Sequence, residues 1–254
     1  MDRGSYISAS GGIAQFARME IVNNNLANVN TPGFKGQFVV TEPRDFADTL
    51  ANQVIPNDPY AEGDHEQTPD TEMIGAFTDF SQGPIKETGN LLDVALRNPN
   101  EFFVIETQDG LQYTRAGNFT INTEGNLVTQ DGQTVQGDGG AITTTPGKIE
   151  IVSSGAVLAD GLQAGRLQVV TFNDTSNLER VGANRFALKS GTAGPEQIQN
   201  VQVVPQALEM SNVSMISSML QLITANRGFE MYAKTARTID EMNQSAITQL
   251  GRPR

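Results

Sequence analysis

Asn25-Leu26-Ala27-Asn28-Val29-Asn30-Thr31-Pro32-Gly33-Phe34-Lys35 is the stretch where one kind of chain stops and another begins. Pro32 pushes Thr31 out of the α region and Thr31-Pro32-Gly33 is a turn signal, so a helix running into this stretch ends near Asn30. Upstream, Phe16, Met19, Val22, Leu26 and Val29 recur at spacings of three and four, on one face of a helix over 5–30. Asn23, Asn24, Asn25, Asn28 and Asn30 crowd its last turns; asparagine is a modest helix former and a good bidentate hydrogen-bonder.

Past the turn, residues 41–80 carry ten carboxylates against Arg44 alone, and Pro43, Pro56, Pro59 and Pro69 break them up. This predicts an extended acidic connection over 36–80 with a short helix at 44–53. Residues 81–205 read as all-β. Glu101–Glu106 is a short apolar run closed by Asp109-Gly110, and Tyr113, Arg115, Gly117, Phe119 and Ile121 share one parity. Acid-Gly pairs at 109–110, 124–125, 131–132 and 138–139 supply the positive φ of hairpin turns, and further strands are expected at Lys148–Ser153, Arg166–Phe172 and Arg185–Leu188. Residues 206–250 read as a second long helix, with Met215, Met219, Leu222, Phe229, Ala233, Ala236, Ile239, Met242 and Ala246 on a drifting stripe that contains Asn226. The fold class is α+β, with four segments: 1–35, 36–80, 81–205 and 206–254.

The 254 residues suffice for one or two domains. With 17 basic and 29 acidic residues the net charge is −12, which argues against a general nucleic-acid partner. No cysteine is present and His65 is the single histidine, so thiolate chemistry, Cys-ligated metals and two-histidine sites are excluded. No run approaches the ~18 apolar residues of a membrane span, so direct membrane insertion is not expected. The N-terminus lacks the apolar block of a cleaved signal peptide. Asp109, Asp131 and Asp138 each precede glycine and read as turn residues rather than a carboxylate site. A Ser-His-Asp triad would have to use His65, inside the acidic segment. The expectation is therefore no catalytic residue, no metal, no cofactor and no enzyme.

On these residues two readings of the terminal helices stay open. They form a hairpin packed on the protein's own β core, or they are assembly elements that pair with each other and with neighbouring copies. About 37 residues of helix from 213 would span roughly 55 Å, more than a small β domain can cover. Asn25, Asn28 and Asn226 lie at or near the apolar stripes, as buried asparagines do where they set register.

The segment from Asn25 to Lys35 resembles the N-terminal signature of flagellar basal-body rod and hook proteins. Leu208-Glu209-Met210-Ser211-Asn212-Val213 and Arg227-Gly228-Phe229-Glu230 are similar to the family's C-terminal pattern. Tyr113-Thr114-Arg115-x-Gly117-x-Phe119 and Gly125-x-Leu127-Val128-Thr129 are similar to its β domain. Met1-Asp2-Arg3-Gly4-x-Tyr6-Ile7 and Gly228-Phe229-Glu230-Met231-Tyr232 look more like the proximal-rod type than the distal-rod type. Ser214 departs from the pattern, standing where many rod proteins have Asp or Asn.

The resemblance implies a structural subunit that polymerises into a helical tube, transmits torque and serves as an export channel. Its terminal helices would form a coiled-coil core with the β domain outward. Its partners would be other copies, neighbouring rod and hook subunits and the flagellar type III export apparatus, with the periplasmic rod as its location. The expected assembly interface comprises Leu26, Asn28, Thr31, Pro32, Gly33, Phe34, Lys35, Asn212, Val213, Met219, Leu222, Asn226, Arg227 and Phe229. A distal-rod subunit, and an extracellular binding or adhesive module on helical arms, are the alternatives.

Overall fold

A computed structural model describes residues 3–45, 69–192, 194–198 and 200–250. It is α+β and divides into two units. Of the described residues, one holds those within 3–26, 37–45, 69–77 and 215–250; the other holds those within 27–36 and 78–214.

In the first unit, helix α1 (Arg3–Ala27) and helix α2 (Met215–Leu250) run antiparallel. A Cβ at Gly4 would meet Ile239, one at Gly11 would fall 2.4 Å from the Tyr232 ring, and one at Gly228 would meet Gln15. These pairs share one register, and Phe16 lies 6.5 Å from Phe229 centre to centre. Close approach therefore falls on small residues: Gly11, Ala14, Ser218 and Ala225 are buried. The glycines cost helix propensity and return space for the facing side chains. The expected stripes are only partly the contact face. Val22 is buried and Leu26, Leu222, Ala236 and Ile239 are half-buried, whereas Met215, Met219 and Met242 stay exposed. Asn226 is exposed rather than buried in a helix seam. Asn25 is buried, but its partner is backbone: its amide donates to Gln37 O at 2.7 Å and its oxygen accepts from Gln37 N at 2.9 Å.

Helix α1 stops at Ala27, three residues earlier than expected, because Asn28 begins the turn. The Asn28 carbonyl and side chain accept from Thr31 N and Oγ1 at 3.1 and 3.2 Å. The strands Gln37–Asp45 and Pro69–Thr78 then pair, with Phe38 stacked on Phe77 at 6.1 Å. Arg44 and Asp45 thus close a strand rather than open a helix, and the rest of the helix expected at 44–53, with His65, lies outside the described residues.

The second unit is built on the strand Glu101–Thr107. It pairs along one edge with Gly110–Thr114 and along the other with Val169–Thr171 and Thr134–Gly137. Alternation sends Phe103 and Ile105 into a core with Val94, Leu96, Phe119 and Leu167. Phe102 and Val104 enter a second core with Tyr113, Phe172 and Phe186. A strand buried on both faces reads as an unbroken apolar run, which is how Glu101–Glu106 reads. The turn glycines expected at 110, 125 and 132 have φ of 107°, 84° and 78°; at the fourth turn the positive φ falls on Gly140 rather than Gly139.

Two expectations fail here. Tyr113–Ile121 is not one strand: the ladder ends at Thr114 and resumes as Thr120–Ile121, because Arg115 turns inward and Gly117 packs against Val94 O. The second helix does not begin at 206. Ala207–Glu209 is a strand paired with Ile85–Glu87, and Val203–Pro205 pairs with Val94–Leu96, so the two ends of the unit close on each other.

Replacing Gly11 by Val should break the helix pair, although propensity alone favours Val over Gly in a helix. Amide exchange on the variant should show protection lost in both helices and retained across Glu101–Thr107. Unchanged protection in α1 and α2 would show that the helices do not depend on this contact.

Candidate functional site

The turn Thr31-Pro32-Gly33 delivers three successive residues into the interior of the β-rich unit. Gly33 has φ +69°, and a Cβ there would fall 2.3 Å from Ala116 N, so the chain passes against Arg115-Ala116 only as glycine. Gly33 N donates to Glu209 O at 2.8 Å. Phe34 is fully buried under the Arg180 guanidinium, 4.7 Å from its ring centre. Burial pulls that guanidinium down to about 10.

Lys35 follows and meets Glu209 and Arg115, all three with side chains fully removed from solvent. Lys35 Nζ donates to Glu209 Oε1 at 2.7 Å and to Ser81 O at 2.6 Å. Arg115 Nε donates to Glu209 Oε2 at 2.9 Å, with a second bond from Nη2 to the same oxygen. Arg115 Nη1 is shared by Asn98 O at 2.5 Å and Glu101 O at 2.6 Å, and Gly83 N donates to Glu209 Oε1 at 3.0 Å. One buried carboxylate thus serves two buried cations, and the carbonyls of Ser81, Asn98 and Glu101 accept further bonds from them. Burial lowers the pKa of both Lys35 and Arg115, opposed in each case by Glu209.

Beside this cluster Asn212 closes the exits of the unit. Its oxygen accepts from Gly36 N at 2.8 Å, and its amide donates to Asp79 O at 2.9 Å and to Ser81 O and Oγ at 3.2 and 3.1 Å. The points where the chain leaves the unit, after Gly36 and after Ser214, are held near one another by a single side chain.

The residues expected to form an assembly interface separate into three groups. Gly33, Phe34 and Lys35 are interior, so Phe34 anchors the turn to the β-rich unit instead of to a neighbour or a terminal helix. Leu26, Asn28, Thr31, Pro32, Asn212, Val213 and Leu222 are half-buried. Met219, Asn226, Arg227 and Phe229 are exposed on α2. The same helix also exposes Ile216 by 74 %, Leu220 by 61 %, Ile223 by 50 % and Met231 by 67 %. Sequence reasoning missed Arg115 and Glu209 as partners of Lys35. Both lie in quoted motifs, but Arg115 reads within a β pattern and Glu209 within the expected helix over 206–250, and a charge in either reads as solvent-facing until its partner is known.

The cluster makes the three charges unequal. Removing Glu209 leaves two buried cations uncompensated, so Glu209→Gln should cost about 3–5 kcal/mol. Lys35→Met leaves the Arg115–Glu209 pair neutral and should cost less; urea unfolding checks the order. Lys35 also sets a pH slope. Between its lowered folded pKa and 10.5 the unfolded chain binds more protons, so stability rises with pH in that window. The stability of the wild type relative to Lys35→Met should increase as pH climbs toward 10.5.

Comparison with known proteins connects this geometry to a family. A family model described as flagella basal body rod protein matches residues 6–35. The flagellar hook protein FlgE/F/G D1 domain matches 98–159, and the flagellar basal body rod FlgEFG protein C-terminal region matches 204–250. Each matched segment contributes one member of the buried cluster: Lys35, Arg115 and Glu209 in turn. Among full-length relatives, the flagellar basal-body rod protein FlgF of Caulobacter vibrioides is 34 % identical over 99 % of both chains. FlgG of Agrobacterium fabrum is 35 % identical over 94 % of this chain and 96 % of its own, and FlgG of Bacillus subtilis 32 % over 96 % and 97 %. With this identity sustained from one end to the other, the chain belongs to the flagellar basal-body rod proteins.

Proposed function

We propose that this protein works as a structural subunit of the rod, polymerising through α1 and α2 while the β-rich unit sets the spacing between copies. The carrying observation is the uncovered apolar surface of α2. Met215, Ile216, Met219, Leu220, Ile223, Met231, Met242 and Ile247 are each 42–74 % exposed. Helix α2 has 36 residues and so is about 54 Å long, while α1 has 25 and reaches about 38 Å. Part of the longer helix is left for other copies to cover. Such contacts are heterologous and propagate along a helical lattice rather than closing into a ring. In this reading the helices of successive copies form a coiled-coil core, the tube transmits torque, and its bore is an export channel.

The expected partners are further copies, neighbouring rod and hook subunits, and the flagellar type III export apparatus. The expected place is the periplasmic rod, reached without a cleaved signal peptide. No catalytic role is assigned; the charged cluster of Lys35, Arg115 and Glu209 is sealed from any substrate. The proximal position is favoured by the N-terminal residues and by the match to FlgF along 99 % of both chains. A distal position is the second reading, favoured by the 35 % identity to a FlgG.

The test uses exposed residues, so that folding and assembly separate. Leu220→Glu with Ile223→Glu keeps helix propensity and should shift stability by no more than about 0.5 kcal/mol. The variant should be absent from purified basal bodies while still being secreted. Normal incorporation would overturn the assembly role of this face; a large fall in melting temperature would place these side chains in the subunit's own core.

A further inference from the structure

Four segments of the β-rich unit meet around a cavity of about 420 Å³ whose lining includes Arg97, Arg166, Ser153, Ser154, Asn200 and Gln202. Among the described residues no carboxylate lines it, in a chain with 29 acidic and 17 basic residues. The backbone builds this arrangement. Leu96 pairs with Val203 in antiparallel register, and continuing that register sets Arg97 opposite Gln202. Val203 N donates to Ser153 O at 3.0 Å, which brings the Ser153-Ser154-Gly155 turn alongside. Leu167 N donates to Gly155 O at 2.8 Å, which brings Arg166 next to Ser154. Gly155 makes the turn possible, with φ +73° and a Cβ position 2.8 Å from Val201.

Arg166 supplies the second observation. Its Nε is buried and has no hydrogen-bond partner. A buried guanidinium N–H left unpaired is costly, and native structures rarely keep one without a use. Among the described residues neither Arg97 nor Arg166 has an acidic oxygen within 4 Å. Two guanidiniums, two hydroxyls and two amides in one hollow present many donors and little negative charge, which is the chemistry that holds an oxyanion.

We propose that this cavity is a binding site for a small oxyanion-bearing molecule, with Arg97 and Arg166 as its charged contacts. The site is separate from the helices and from the buried Lys35–Arg115–Glu209 cluster, and it does not depend on the assembly reading. The test is a titration of the full chain followed by the guanidinium Nε–Hε signals in NMR. Three probes are added in separate arms: N-acetylglutamate for a peptide acid, glucuronate for a sugar acid and inorganic phosphate for a tetrahedral anion. The expected result is saturable movement of the Arg166 signal with Kd of about 1 mM or tighter in at least one arm. The arm that binds most tightly names the source.

Arg97→Gln, at an exposed position, should weaken that binding about tenfold or more, and Arg166→Gln likewise. Arg166→Lys keeps the charge without the fork and should fall between. The amide spectrum of each variant confirms that the unit is folded, and Arg97→Gln carries the test if Arg166→Gln is not. Absence of a saturable shift in all three arms overturns the proposal. So does binding that persists unchanged in the Arg97→Gln, Arg166→Gln double variant.

Discussion

The carboxylate of Glu209 is the point on which the β-rich unit closes. It lies in the last strand of the unit, Ala207–Glu209, yet it satisfies Lys35 from the turn after α1 and Arg115 from the end of a central strand. Burying three charges carries a desolvation cost that Coulomb attraction alone need not recover. What opposes it is the further bonding, in which Ser81 O, Asn98 O and Glu101 O accept from the two cations and Gly83 N donates to the carboxylate. Residues 33–36 enter the unit in one way, because any other path would leave Lys35 or Glu209 buried without a partner.

That constraint bears on assembly through the exits of the chain. Asn212 bonds Gly36 N, Asp79 O and Ser81, so the starts of three chain passages are gathered at one place. Gly33 and Phe34 hold the same place from the other side, the first by its absent side chain and the second by its burial beneath Arg180. The terminal helices follow an opposite economy. They meet through glycine, alanine and serine and leave methionine, leucine and isoleucine uncovered. The Gly11–Tyr232 and Gly228–Gln15 contacts need little apolar area, and the large side chains stay exposed.

The sequence determined the class of structure. Periodicity of three and four located both helices, the first ended three residues before the expected Asn30, and the acid-Gly pairs marked hairpins, with positive φ at Gly110, Gly125 and Gly132 and, at the fourth, at Gly140 instead of Gly139. It also carried the family, because the segments around Asn25–Lys35, Tyr113–Phe119 and Leu208–Val213 are local patterns. Tertiary structure alone decided what those segments do to one another. Arg115 shares its parity with strand residues and reads as part of a ladder; only the position of Glu209, 94 residues away, turns it inward. Lys35 and Phe34 read as surface contacts for the same reason, since burial of a motif depends on what folds over it. Residues 206–214 read as the opening of the second helix and instead hold a strand, Ala207–Glu209, paired with Ile85–Glu87, and the turn before the helix. Periodicity reports which face of an element is apolar; the partner that covers that face, or leaves it bare, is fixed by contacts distant in the chain.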